Sequence, residues 1–157
     1  MSELVICRGL MASGKSTWSR VWVSEDRRTR IRVSRDDLRD MLEDGVFIKD
    51  TTEPKVILAR NAIIRAALKA GLDVVCDDTN LRTTTVVDLI KLALNVKASW
   101  RIEDFTDVTL EECLARNAAR NLQGPRFLAD EVIIKSYDRF LRGKELPLPV
   151  PYVLRDK

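Results

Sequence analysis

The sequence predicts an α/β fold of the P-loop type, a central and mainly parallel sheet of four to five strands with helices on both faces and a helical lid. Three observations carry that prediction. Short apolar runs of strand length alternate with longer segments whose apolar residues recur at helical spacing, the pattern of successive βαβ units. The first run feeds through a glycine-bearing loop straight into the first helical segment. At 157 residues and 45% hydrophobic content the chain can bury one real core, and a second catalytic domain would not fit. One domain over 1–157 is therefore expected, with the lid at about 116–130 and an extended tail over 145–157.

The opening strand is Leu4-Val5-Ile6-Cys7. Behind it, Gly9-Leu10-Met11-Ala12-Ser13-Gly14-Lys15-Ser16-Thr17 fits the pattern G-x-x-x-x-G-K-[ST] at every fixed position, and Trp18, Val21 and Trp22 continue at helical spacing. Backbone N–H groups from Gly9 through Ala12, Ser13 and Gly14 to Thr17 then converge with the helix N-terminus on phosphate oxygens. Lys15 reaches the β/γ-phosphates, and the Ser16 hydroxyl is placed to ligate Mg²⁺. ATP and Mg²⁺ are the expected ligands; the bland alternative is a degenerate loop that binds nothing.

After a first helix that fades around 24–27, Thr29-Arg30-Ile31-Arg32-Val33 alternates polar and apolar side chains and reads as an edge or half-exposed strand. Ser34 or Asp36 caps a short helix that includes Met41 and Leu42. Glu53-Pro54 opens a long helix with Val56, Ile57, Ala59, Ala62, Ile63, Ala66, Ala67 and Leu68 as its apolar face, stopped by Gly71. Asp73-Val74-Val75-Cys76-Asp77 is a second buried strand ending in Asp78-Thr79-Asn80, followed by a helix over 83–94 and a strand over 98–105. Thr109 caps a helix with Leu110, Cys113, Leu114 and Ala118, and Gly124-Pro125 breaks the pattern. Asp130 begins the last helix, with Val132, Ile133, Tyr137, Phe140 and Leu141 inward. The prolines at 147, 149 and 151 keep the tail extended, and Tyr152-Val153-Leu154 offers a final short strand.

Charge narrows the partners. A net +3 is too modest for a histone-like polyanion binder, so nucleic-acid affinity has to be local. The stretch 116–144 carries seven Lys/Arg against three Asp/Glu, which suggests an anionic ligand near the C-terminal third or, more simply, a solvated helix face. Cys7, Cys76 and Cys113 have no ligand spacing and read as small core residues in a reducing cytoplasm. No run reaches membrane-spanning length and no signal-type segment follows Met1, so a soluble cytoplasmic protein is expected. Histidine is absent, which makes a carboxylate the leading candidate for any general base.

Phosphoryl transfer asks for a phosphate cradle, a metal site, a group on the acceptor hydroxyl and cations over the migrating phosphoryl. Asp36 and Arg39, three residues apart, share one helix face where the carboxylate can take a hydroxyl proton and the arginine can hold a phosphate. An N-capping Asp with a surface ion pair is the alternative. Asp37 is the rival carboxylate, and Arg35 reads as a structural ion-pair partner. Asp78 can hold a water on Mg²⁺ or brace an arginine, with Asp77 as its rival and Thr79 and Asn80 as polar neighbours. Arg116 and Arg120 at i, i+4 make a lid that supplies positive charge, or an ordinary surface pair. Trp18, Trp22 and Trp100 read as packing; Tyr137 and Phe127 are better placed to touch a base.

Taken together, the P-loop, Ser34-Arg35-Asp36-Asp37-Leu38-Arg39, Asp78-Thr79-Asn80-Leu81 and Arg116-Asn117-x-x-Arg120 resemble the kinase domain of the bacteriophage polynucleotide 5′-kinase family, from residue 3 to about 145. The resemblance implies ATP-dependent phosphorylation of a 5′-hydroxyl end of single-stranded or end-exposed DNA or RNA. It implies Lys15 and Ser16 for ATP and Mg²⁺, Asp36 as general base, Arg39 on the acceptor's phosphate, and Arg120 with Arg116 as lid arginines. Arg35, Asp78, Thr79 and Asn80 join the substrate side, Asp78 also as a metal candidate. Ser34 stands where the family commonly has Asn, and 121–129 is longer than the family pattern. No Asp-x-Asp-x-Thr motif occurs, so no 3′-phosphatase activity is expected. A small-metabolite or nucleoside kinase and a non-catalytic nucleotide- or RNA-binding module are the rival readings.

Overall fold

The computed structural model describes residues 1–120, 124 and 127–153. Among them the chain runs β1 (Glu3–Arg8), α1 (Lys15–Glu25), β2 (Arg30–Val33), α2 (Arg35–Glu43), α3 (Thr52–Lys69), β3 (Asp73–Cys76), α4 (Thr83–Asn95), β4 (Ser99–Asp104), α5 (Leu110–Ala119) and α6 (Asp130–Phe140). The four strands form one parallel sheet in the order β2-β3-β1-β4, with Leu4 opposite Val74 and Trp100, and Val33 opposite Cys76.

Strand alternation explains the layers. On β1, Leu4 and Ile6 point to the side covered by α3 and α4, where they meet Val56, Ile64, Leu68, Val86, Leu89 and Ile90. Val5 and Cys7 point the other way, with Val75, onto Trp22, Trp18 and Phe105. Both faces of β1 are thus dry, as its continuous apolar run requires. Edge strand β2 is half-buried over most of its length, in keeping with its alternating sequence. A third cluster, Leu10, Leu81, Cys113, Ile133 and Leu141, binds α5 and α6 to the loops above the sheet. All three cysteines are free and buried; burial pushes the Cys7 thiol up to about 12.

Four elements depart from the sequence reading. The buried stripe of α3 is Val56, Arg60, Ile64, Ala67 and Leu68, whereas Ile57 and Ile63 face outward. Its many apolar residues permit either stripe, and the one turned inward carries Arg60 to the end of β3. Val132 is exposed, leaving Ile133 as the core residue of α6. Arg120 has left the helix: it caps α5 with extended backbone at φ −65 and ψ 142, so it and Arg116 do not share a helix face. Tyr152 and Val153 form no strand; Leu154, residues 121–123, 125 and 126 of the expected lid, and 155–157 of the tail lie outside the described residues. No helix among the described residues is long and apolar enough to cross a membrane.

Candidate active site

In an open parallel sheet a ligand sits beyond the carboxyl ends of the strands, where the chain's direction of travel across the sheet reverses. Here that place lies above β1 and β3. Gly9 begins the loop with its N–H on the Thr79 carbonyl at 2.9 Å. A Cβ at Gly9 would sit 2.7 Å from Phe105 Cβ and 2.9 Å from Ser13 Oγ, so only glycine lets the loop close against β4's exit. Gly14 caps α1 in the left-handed region at φ 100, and no acidic side chain occupies the first turn. The N–H groups of that turn are therefore left for an anion.

Lys15 folds back across this loop. Its Nζ donates to the Leu10 carbonyl at 2.5 Å and to Ser13 Oγ at 3.3 Å, and the side chain is 7% exposed. Burial lowers its pKa, with the Asp77 carboxylate as the leading opposing influence. Neutral oxygens hold the ammonium in the place where phosphate oxygens would serve it better. A cleft of about 600 Å³ opens beside the loop, lined by Gly14, Thr17, Trp18, Phe105, Arg116 and Arg120 among others. Trp18 stacks on Trp22 and meets Phe105 edge-on, so it is both packing and cleft wall. Arg116 pairs with Glu112 and keeps one guanidinium nitrogen 3.4 Å from where a Gly14 Cβ would stand.

On the other side of the loop, α2 presents Asp36, 63% exposed at its side chain, against Arg39 at 2.8 Å. Arg39 is itself held by Glu53 from the start of α3 at 2.5 Å, a hydrogen bond that raises its pKa above the ordinary arginine value. Arg35 lies between Asp78 Oδ2, 3.2 Å from its Nε, and Glu53, 3.9 Å away. Asp78 also accepts the Arg35 backbone N–H at 2.8 Å and faces buried Arg60 at 3.3 Å. Of the two roles open to Asp78, the geometry gives it the bracing of arginines, with both oxygens engaged there. Asp77 accepts from Arg32 Nε at 2.6 Å, and Arg32 also pairs with Asp37. The other oxygen of Asp77, Oδ1, is buried without a hydrogen-bond partner among the described residues.

Asn80, 2% exposed and at φ 44, donates its amide to the Cys7 carbonyl at 2.8 Å. With the Thr79 carbonyl on Gly9 it fastens β1 and the start of the P-loop to the turn after β3, while its own Oδ1 is buried without a hydrogen-bond partner among the described residues. Arg8, buried, ties the same turn down through the carbonyls of Asn80 and Leu81. Glu53, Arg60 and Arg32 were not read as site residues in the sequence. Their signal was present: Arg60 interrupts the i, i+4 series Val56 and Ile64, and a buried charge needs a partner.

The residues present fit a magnesium ion at this place. The Ser16 hydroxyl stands on the first turn of α1, and the orphaned, buried Asp77 Oδ1 supplies a hard anionic oxygen of the kind Mg²⁺ and its water shell take. Among the described residues no group of three or more acidic or cysteine side chains forms an all-protein cage.

A family model described as an AAA domain matches residues 4–143. A protein of Autographa californica nuclear polyhedrosis virus, provisionally named a bifunctional polynucleotide kinase/RNA ligase, is 28% identical over 162 residues, covering 95% of this chain and 22% of that protein. A chain in the solved Pnkp1/Rnl/Hen1 RNA repair complex superposes with a TM-score of 0.74 at 26% identity, over 88% of this chain and 44% of that one. Kti12 of Chaetomium thermophilum, solved with ADP-AlF3, shares the fold at 18% identity, with a TM-score of 0.66 over 87% of this chain and 79% of that one. The chain thus spans about a fifth of the viral relative's length and under half of the repair-complex chain. The family match runs from the first strand past the last helix and takes in the P-loop, α2 and the residues that line the cleft, so the chain belongs to the AAA domain family, in which it resembles the polynucleotide kinases.

Proposed function

We propose that the chain is an ATP-dependent polynucleotide 5′-hydroxyl kinase, moving the γ-phosphoryl of ATP to the 5′-OH end of DNA or RNA. The observation that carries this reading is the Asp36–Arg39–Glu53 set, an accessible carboxylate beside an arginine already fixed by a second carboxylate. Arg39 grips a phosphodiester of the acceptor strand, and Asp36 receives the 5′-hydroxyl proton as the new O–P bond forms and the bond to the β-bridging oxygen breaks. Lys15, Arg116 and Arg120 hold the donor's phosphates and the charge that collects on the leaving ADP. Magnesium supplies further neutralisation of that charge when bound, with Ser16 and Asp77 as the residues to hold it and its water.

A plain sugar acceptor would give Arg39 nothing to hold, which favours a strand over a nucleoside or metabolite. The viral relative's provisional name and the repair complex support a place in nucleic-acid end repair. Three free, buried cysteines accord with a reducing, cytoplasmic setting, the host-cell cytoplasm if the gene is phage-encoded. The test is transfer of γ-labelled phosphate from Mg·ATP to a short single strand ending in 5′-hydroxyl or 5′-phosphate. Label on the hydroxyl end alone is expected. ATP binding without label on either end would overturn the reading in favour of a small-acceptor kinase or a binding module.

A further inference from the structure

The turn joining α2 to α3 carries three consecutive apolar residues in the open: Val46 and Ile48, each 49% exposed, flank Phe47 at 63%. A run of exposed apolar side chains asks for a reason beyond packing. The turn is tied down on both sides. Gly45 and Val46 donate N–H groups to Arg39 and Glu43 carbonyls at 3.1 and 2.8 Å. Ile48 donates its N–H to Thr52 Oγ1 at 2.7 Å, and its carbonyl accepts from Thr51, Thr52 and Glu53 at 3.0 to 3.2 Å. Phe47 is therefore an aromatic ring held out toward solvent by a hydrogen-bonded frame.

Its position is specific. The Arg39 guanidinium carbon lies 5.4 Å from the centre of the Phe47 ring, and the same guanidinium pairs with Asp36 at 2.8 Å. The guanidinium lies over one face of the ring, and Phe47 stays 63% exposed beside the arginine proposed to hold the acceptor's phosphodiester. Aromatic faces next to cations are how single strands are held: the cation takes the backbone and the ring takes the base.

We propose that Phe47 is the stacking platform for the terminal nucleobase of the acceptor strand. The inference rests on the kinase reading and deepens it by naming how the acceptor is gripped: by the face of its first base, with tolerance of base identity. An acceptor lacking that base should lose the contact.

The test pairs variants with acceptors, in a cycle that isolates the contact. Wild type, F47A and F47W are titrated by anisotropy with 3′-fluorescein single strands ending in a 5′-hydroxyl nucleotide or in a 5′-hydroxyl abasic residue, and ATP affinity is measured alongside. F47A should bind the base-terminated strand about tenfold more weakly and the abasic strand unchanged. F47W should restore binding, with ATP affinity constant throughout. Equal loss on both strands would make Phe47 merely a support for Arg39, and no loss on either would leave it a surface residue; both results overturn the proposal. Because the readout is binding, a wild type that shows the Phe47-dependent base contact yet transfers no phosphate would refute the kinase reading and leave the platform standing.

Discussion

The P-loop and the α2 face across it hold their charges in different ways. Lys15 is buried against two neutral oxygens, Leu10 O and Ser13 Oγ, so much of its charge is answered only when a phosphate arrives. Across the loop, Arg39 is paired with Asp36 and Glu53, and Arg35 and Arg60 with Asp78, before any ligand is present. One side stores electrostatic pull at a cost to the fold; the other spends its charges on geometry. A site that must draw in a polyphosphate and also aim a hydroxyl has use for both.

The largest effect expected from breaking this contrast is at Asp36. D36N removes the proton acceptor and leaves the P-loop untouched, so turnover should fall about 10²- to 10⁴-fold with ATP affinity little changed, read by single-turnover transfer and ATP titration. Turnover that survives would remove chemistry from the α2 side. Next comes the frame behind it. R60M strips a partner from buried Asp78 and should cost about 3 kcal/mol in chemical denaturation, the low end for a broken buried pair because Arg35 remains. A cost below about 1 kcal/mol would mean that this side is not held by its ion pairs.

Lys15 should behave in the opposite sense. K15M abolishes transfer, yet it deletes a buried charge and should raise the thermal midpoint of the ligand-free protein by about 2–4 °C. The sign follows from the lowered pKa. Protonated Lys15 penalises the native state; the penalty is fully present below its folded pKa and disappears as pH rises toward the ordinary lysine value. The advantage of K15M should therefore shrink at alkaline pH, and an advantage that grew there would contradict the assignment. The smallest effect is at the rim. R116A breaks an exposed pair with Glu112 and should raise the KM for ATP about threefold without changing stability, by steady-state kinetics and thermal melts.

Legibility in the sequence follows the same division. The P-loop was readable because strand, turn and helix are contiguous, and each fixed residue answers a local need: Gly14 for its left-handed backbone, Lys15 for its reach. Asp36 and Arg39 were readable as a pair because one helix turn sets them together. Glu53 was visible only as a helix opener, since nothing near it in the chain shows that α3 starts beside α2. Asn80 was readable as a polar strand-end residue, but its hydrogen bond to the Cys7 carbonyl was not, because the two lie 73 positions apart. Arg120 was placed on a helix face by counting, but α5 ends one residue earlier.

The sequence by itself determined the alternation of strands and helices, the two dry faces of β1 and the phosphate loop, because periodicity, glycine conformation and burial act over a few residues. The tertiary structure alone decided which stripe of α3 turns inward, that Arg60 and Arg35 share Asp78, that one buried oxygen of Asp77 has no hydrogen-bond partner among the described residues, and that Phe47 stands beside Arg39. Those are pairings between residues up to tens of positions apart, and a buried charge selects its partner by distance in space, which local spacing does not encode.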